Sequence, residues 1–369
     1  MTQRPDAAIR ALRVAAYRVP TDAPEADGTF TWDATTLVVV ELDAAGQTGL
    51  GYTYADASLV RLIEEHFREM VEGADAFAIG RLNEQLWASV RNLGRSGLAA
   101  CAISAVDCAL WDLKARLLDL PLARLLDTRR ERIPVYGSGG FTSYDDTRLR
   151  EQLGSWVHED GCRWVKVKIG ADVTRDAERV RVARETIGEA GLFIDANGAH
   201  TPRSAIAFAH RVAEQQVGWF EEPVSSDDLA GLREVREALG ASGQPMDVAA
   251  GEYAYTPDDF RRLVEHGAVD VLQADLTRCG GVTGFLQAAA LCEAFHLGLS
   301  AHCAPALHLH IACAAPRFRH QEWFHDHVRL ESMLFEGAPP LNDGHIAPDL
   351  TRPGHGLTLR EADARRYLI

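Results

Sequence analysis

The chain opens with runs in which apolar and polar residues alternate, and then changes rhythm. Ile9–Val19, Thr35–Asp43 and Gly49–Tyr54 are β-rich stretches separated by DAPEADG and AAGQTG, which read as turns. An antiparallel meander is the expected result. Helical spacing follows at Leu59–Glu72, Arg81–Asn92 and Leu98–Leu118, the last (LAACAISAVDCALWDLKARLL) placing apolar residues three and four positions apart. Residues 1–125 therefore read as an α+β unit.

From Ile133 the pattern becomes one of short apolar runs alternating with amphipathic stretches. Eight such runs occur: IPVYG, RWVKVKIG, LFIDAN, GWFEEP, DVAAGE, VDVLQAD, LGLSAH and RHQEW. Most are separated by helix-like segments of roughly 10–18 residues, the grammar of parallel strands with crossover helices. Eight repeats close a barrel, so an α/β fold is expected: a (β/α)-barrel over residues 126–330 with the α+β unit as its cap. After about Leu330 the chain turns loop-like (EGAPPLNDGH, PDLTRPGHG), and residues 331–369 are expected to return as a tail to the capping unit.

Composition narrows the partners. At 369 residues and 47% hydrophobic the chain can fill a barrel of about 250 residues or fewer and a smaller companion. A formal charge of −15 disfavours nucleic acid and anionic membrane surfaces, which reward basic patches. No apolar stretch approaches a membrane span, and MTQRPDAAIRALRV lacks the apolar core of a secretion signal. A cytoplasmic protein with a small-molecule partner is expected, as a homo-oligomer. The seven cysteines form no Cys-x-x-Cys pair and read as reduced, with Cys101 and Cys108 on a buried helix face.

In a barrel, chemistry projects from the C-terminal ends of the strands, so the charged residues ending the apolar runs are the candidates. Asp195, Glu221 and Glu252 end three consecutive runs, which would bring three carboxylates to one rim, with strands about 4.8 Å apart. Such crowding is resolved by a hard divalent cation, and Mg²⁺ suits best because it keeps positions open for water and substrate oxygens. Lys166 and Lys168 share one face of a central strand, about 6.6 Å apart. Mutual repulsion, with the cation nearby, would lower a lysine toward roughly 7–8, which makes Lys168, nearer the strand end, a usable base.

Asp275 and His302 end neighbouring strands, so the carboxylate can orient the imidazole as a second base. Glu322, on the eighth strand, could hold a protonated carboxyl that donates to developing charge. His308 and His310 lie in a helical stretch, where i and i+2 diverge and cannot share a metal. Cys303 is discounted as a nucleophile because adjacency to His302 puts it on the opposite face.

These residues resemble the enolase superfamily, in particular its mandelate racemase subgroup. The resemblance rests on ALWDLK at 109–114, KVKIG at 166–170, DANGAH at 195–200, FEEP at 220–223, GE at 251–252 and QADLTRCGG at 273–281, with His302 and Glu322 beyond. It implies Mg²⁺ on Asp195, Glu221 and Glu252, a Lys-x-Lys base at Lys166 and Lys168, a His–Asp dyad at His302 and Asp275, and a cap over the barrel mouth. Glu252 and the dyad favour this subgroup over the muconate-lactonizing relatives. Asn197, where some acid-sugar dehydratases carry histidine, points away from the galactonate and mannonate types. The implied first step is abstraction of the proton α to a carboxylate, giving an enediolate.

Two rivals belong to other classes. A metal-dependent barrel hydrolase would call for histidine ligands, and a non-catalytic barrel would not need a full set of acids and bases. Within the favoured class, dehydration of an acid sugar is expected over racemisation of a 2-hydroxy acid. Ser138, Asn197 and Tyr54 are the expected substrate contacts, in a mouth made polar by Thr142, Ser143, Tyr144, Thr21, Asp22, Tyr52 and Asp56. Phe30, Trp32 and Phe141 pull toward an apolar pocket.

Overall fold

The computed structural model describes residues 7–369. The meander is a three-stranded antiparallel sheet of β1 (Ala11–Ala26), β2 (Thr31–Ala44) and β3 (Gln47–Tyr54). Its first turn differs from the expectation. DAPEADG is mostly strand: pairing of β1 with β2 runs to Pro20↔Ala34, slips, and resumes at Glu25↔Trp32, so the hairpin turns only beyond Ala26. Extra residues on one strand make a bulge that twists the ribbon, and Pro20, with no N–H to give the ladder, sits where the slip begins. The barrel holds the ribbon through Thr142, whose N–H donates to Ala26 O (2.8 Å) and whose hydroxyl donates to Asp27 O (2.7 Å).

The helix Leu98–Leu117 lies across this sheet. Gly49 and Gly51 permit that approach, since a Cβ on either would meet the carbonyl oxygens of Ala109 and Ala105 at 2.4 and 2.2 Å. The same helix reaches the barrel. Asp107 accepts from Thr283 N, and Ser104 Oγ accepts from Gly280 N.

The eight apolar runs are β4 (Ile133–Gly139), β5 (Trp164–Lys168), β6 (Gly191–Asp195), β7 (Val217–Glu221), β8 (Asp247–Ala250), β9 (Val271–Ala274), β10 (Gly298–Ala301) and β11 (Phe318–Phe324). Neighbours in sequence pair in parallel, and β11 pairs with β4 to close the barrel. Its interior is packed with Tyr136, Phe193, Trp219, Ala249 and Val271, against which Trp164 and His320 lie.

The chain does not become loop at Leu330: a helix runs over His325–Leu334 first. Beyond it, His345–Ile346 pairs with the start of β4. The last stretch lies on the cap, where Asp112 accepts from His355 N, Leu357 O accepts from Arg116, and Ile369 N donates to Ala16 O. Among the described residues no helix is long and apolar enough to cross a membrane.

Candidate active site and metal centre

Register across the parallel strands decides which side chains meet. Lys168 pairs with Asp195, and Asp195 with Glu221, so the three stand in one row at the mouth. Glu252 follows β8 and completes a trio with Asp195 and Glu221, with one oxygen of each within 4.8 Å of the others. All three are buried. Burial and the nearby Asp195 push the Glu221 carboxyl well above its ordinary range, as expected of anions crowded out of water. Glu252 Oε2 is buried without a hydrogen-bond partner. Three converging carboxylates, one with an unmet lone pair, suit a hard oxygen-seeking cation such as Mg²⁺.

The lysines are set against these acids. Lys166 Nζ lies 2.5 Å from Glu221 Oε1, 2.7 Å from Glu322 Oε1 and 3.4 Å from Asp195 Oδ2. Lys168 Nζ donates to Asp195 Oδ2 at 2.5 Å and to Asn197 Oδ1 at 3.1 Å. Among the protein's own charges the acids decide the state of both lysines. Burial disfavours both ammoniums, but the acids outweigh it and hold both above the ordinary lysine value, Glu221 and Glu322 chiefly for Lys166 and Asp195 for Lys168. Mutual repulsion of the two lysines is the smaller effect. Asp195 is in turn held below the usual carboxylate range: burial pushes it up, and Lys168 and Lys166 more than reverse that.

Across the mouth, His302 Nδ1 lies 2.7 Å from Asp275 Oδ2. Asp275 also accepts from the N–H and hydroxyl of Thr277. Although burial alone would raise it, the His302 hydrogen bond leads the effects that hold this carboxyl below its usual range. An imidazole anchored through Nδ1–H presents the Nε2 lone pair to the cavity.

Glu322 differs from the expectation of a protonated acid. Burial favours the neutral form, but Lys166, His302 and Lys168 together hold its carboxyl well below the ordinary value. It also accepts from Ser138 Oγ at 2.6 Å and from Cys303 N at 2.9 Å. Ser138 is fully buried beside Lys166, in register with it across β4 and β5, and its hydroxyl is given to Glu322.

The cavity above these groups has a volume of about 440 Å³. Lys168, Asn197, Glu252, Arg278, His302, Cys303 and Phe324 line its floor, and Asp27, Phe30, Trp32, Thr35, Tyr54 and Asp56 line its roof. Tyr54 carries a buried hydroxyl with no partner. Thr142 and Ser143 instead clamp the ribbon through Asp27 O and Pro24 O, and Tyr144 packs on Phe141. The mouth is thus less polar than the sequence suggests.

Arg278, His327 and Cys303 are among the lining residues that the sequence pattern does not mark. Arg278 Nη1 lies 3.3 Å from Glu252 Oε1; a charge three residues past Asp275 was the available signal. His327 stacks on Tyr54 from within a helix, where nothing in the pattern marks it. Cys303 was set aside by the alternation rule. That rule assumes extended backbone, and Cys303 (φ 50°) and Ala304 (φ 40°) are left-handed, as are Asn197 (φ 45°) and Glu222 (φ 36°) at the same rim. Such strain gathers where a backbone must aim side chains at a site. His308 and His310 do turn apart, each accepting a backbone N–H, from Leu276 and Ala123 respectively.

Known proteins with this arrangement share its sequence pattern. Residues 9–127 match the mandelate racemase / muconate lactonizing enzyme N-terminal domain, and residues 148–363 match the enolase C-terminal domain-like family. The chain is 34% identical to 3,6-anhydro-alpha-L-galactonate cycloisomerase of Streptomyces coelicolor, covering 95% of this chain and 97% of that one. It is 31% identical to L-talarate/galactarate dehydratase of Salmonella typhimurium, covering 90% and 82%. A structure of that dehydratase liganded with Mg and L-lyxarohydroxamate superposes with a TM-score of 0.89 at 27% identity over 98% and 93% of the two chains. A mandelate racemase/muconate lactonizing enzyme-like protein of Rubrobacter xylanophilus superposes with a TM-score of 0.94 at 46% identity over 98% and 100%. Fold and sequence thus agree, and this chain is an enzyme of the enolase superfamily, belonging to the mandelate racemase / muconate lactonizing enzyme family.

Proposed function

We propose that the enzyme removes the proton α to the carboxylate of an acid sugar in a Mg²⁺-dependent reaction, and that loss of the β-hydroxyl then yields a 2-keto-3-deoxy acid. The observation that carries this reading is that Lys168 and the Asp275–His302 pair open onto one cavity beside the trio Asp195, Glu221 and Glu252. Bound there, Mg²⁺ supplies positive charge against the substrate carboxylate and the negative charge that grows on it. Lys168, positioned by Asp195 and Asn197, takes the α-proton at Nζ in its neutral form, which a cation on Asp195 would favour by taking up the carboxylate charge that otherwise holds the ammonium. His302, protonated at Nε2, gives its proton to the departing hydroxyl as the Cβ–O bond breaks, while Asp275 stabilises the ring. The enol then tautomerises to the 2-keto acid. Lys166 stays charged between Glu221 and Glu322 and holds both acids in place. The free Tyr54 hydroxyl is a contact for the polyol. A sugar acid as substrate is also supported by the names of the two relatives above.

One observation favours racemisation of a 2-hydroxy acid instead: Phe30, Trp32 and Phe324 give the cavity aromatic walls. The deciding experiment is incubation with Mg²⁺ and C4–C6 aldonic and aldaric acids, with 2-keto acid assayed as the semicarbazone. Keto product from a polyol acid is expected. Inversion of a 2-hydroxy acid with no keto product from any polyol would overturn dehydration and leave the α-proton step intact. A homo-oligomer in the cytoplasm belongs to the same reading; seven buried, unpaired cysteines support a reducing compartment.

A further inference from the structure

Cys303 has no part in the reaction above, yet the left-handed turn at Cys303 and Ala304 delivers its sulfur to the catalytic histidine. Sγ lies 3.2 Å from His302 Nε2 and 3.4 Å from Glu322 Oε2, and those two atoms are 3.7 Å apart. Nitrogen, sulfur and oxygen donors thus form a near-regular triangle. A tetrahedral Zn²⁺, with bonds of about 2.0–2.2 Å to nitrogen and oxygen and about 2.3 Å to sulfur, spaces its donors roughly 3.4–3.6 Å apart. All three residues are buried.

Two of the three donors are also held from behind, as metal ligands are. Asp275 anchors the far nitrogen of His302 and leaves Nε2 free. Ser138 and Lys166 engage Glu322 through Oε1, while Oε2, which accepts the Cys303 N–H, faces the triangle.

We propose that His302, Cys303 and Glu322 form a second cation site, distinct from the carboxylate trio, that takes a thiophilic divalent ion such as Zn²⁺ and shuts the enzyme off. Binding breaks the Cys303 S–H bond, releases that proton to solvent and forms a sulfur–metal bond; no oxidant is needed. Mg²⁺, which prefers oxygen donors, does not compete for the thiolate. An ion there displaces the proton of His302 Nε2 and holds its lone pair, so the acid for the departing hydroxyl is lost while the trio stays free for Mg²⁺.

The test uses the full chain saturated with Mg²⁺ and Cd²⁺ as the probe, followed by the ultraviolet sulfur-to-cadmium charge-transfer band, a readout that needs no substrate. Among the described residues Cys303 is the sole cysteine in a cluster able to hold a metal ion, so the band reports this site. One Cd²⁺ per chain with a saturating band is expected in the wild type. In Cys303→Ser the band should vanish, and half-inhibition, scored against the variant's own Mg²⁺ activity, should need about 10–100-fold more Zn²⁺, a loss seen even when an outer partner of a metal ligand is removed. A wild type with no band overturns the proposal whether or not the variant folds. Equal zinc sensitivity of both proteins, relieved by added Mg²⁺, places the ion on the trio and overturns it as well.

Discussion

The floor and the roof of the cavity are built differently. Floor residues sit at strand ends, are buried, and are held by several polar partners each: Asp195 by Lys168, Lys166 and the Asn197 N–H, Glu322 by Lys166, Ser138 and the Cys303 N–H. The roof is a bulged ribbon and the turn after β3, with Phe30 67% exposed, tied to the barrel through backbone carbonyls by Thr142 and Ser143 and through the Thr35 side chain to Asp326. A pre-paired floor fixes which bond is broken, since its groups do not have to reorganise when charge moves. A loosely tied roof is free to vary with the molecule that fits beneath it. Chemistry and specificity thus come from separate parts of the chain.

The largest effect should come from breaking the floor at its metal ligands. Asp195→Asn, Glu221→Gln or Glu252→Gln should each lower kcat/KM by roughly 10³-fold or more and weaken Mg²⁺ binding in calorimetry, because metal charge stabilisation is worth several kcal/mol. Full activity in excess chelator would remove the metal from the mechanism. Next comes the other side of the floor. His302→Asn should cut turnover by about 10²–10⁴-fold, while Lys168 still exchanges the α-proton of one substrate configuration with D₂O, read by NMR. Normal turnover of both enantiomers by that variant would show that the two sides are not separate bases.

The smallest effect tests the roof. Glu25, buried in the ribbon and bonded to the Trp32 indole N–H, has its carboxyl pushed up to about 8, chiefly by burial and then by Asp326. Between its ordinary value near 4.5 and 8 the folded state keeps a proton that the unfolded chain releases, so stability falls as pH rises through that window. Glu25→Gln mimics the neutral acid. It should be more stable than the wild type by about 1–3 kcal/mol at pH 8 and nearly equal to it at pH 5 in thermal or urea melts. Equal stability at both would mean that the roof tolerates the charge.

The same division governs what the sequence disclosed. All eight barrel strands were legible, because each is a short apolar run between helices and its terminal charge has no place in a core. The meeting of Asp195, Glu221 and Glu252, and of Asp275 with His302, followed from that count. What stayed hidden depends on backbone detail. DAPEADG has turn residues, yet its pairing with β2 and a bulge keep it extended. That the Ser138 hydroxyl donates to Glu322 depends on side chains meeting across the closing strands, which spacing does not show. The charge states of Glu322 and the lysines depend on which acid lies within 3 Å of which base, and spacing along the chain does not encode that.

The aromatic packing inside the barrel has a further consequence. Tyr136, Phe193, Trp219 and His320 fill the interior below the fully buried Lys166, so the barrel is a vessel with one opening. Hydrogen taken from the substrate has to leave by the route the substrate used. While a ligand sits in the mouth, an abstracted isotope is confined with its parent carbon, and its return competes with exchange into the medium. Label washout would then keep time with the opening of the ribbon, and a tracer experiment would measure the roof's clock even though the atom it follows never leaves the floor.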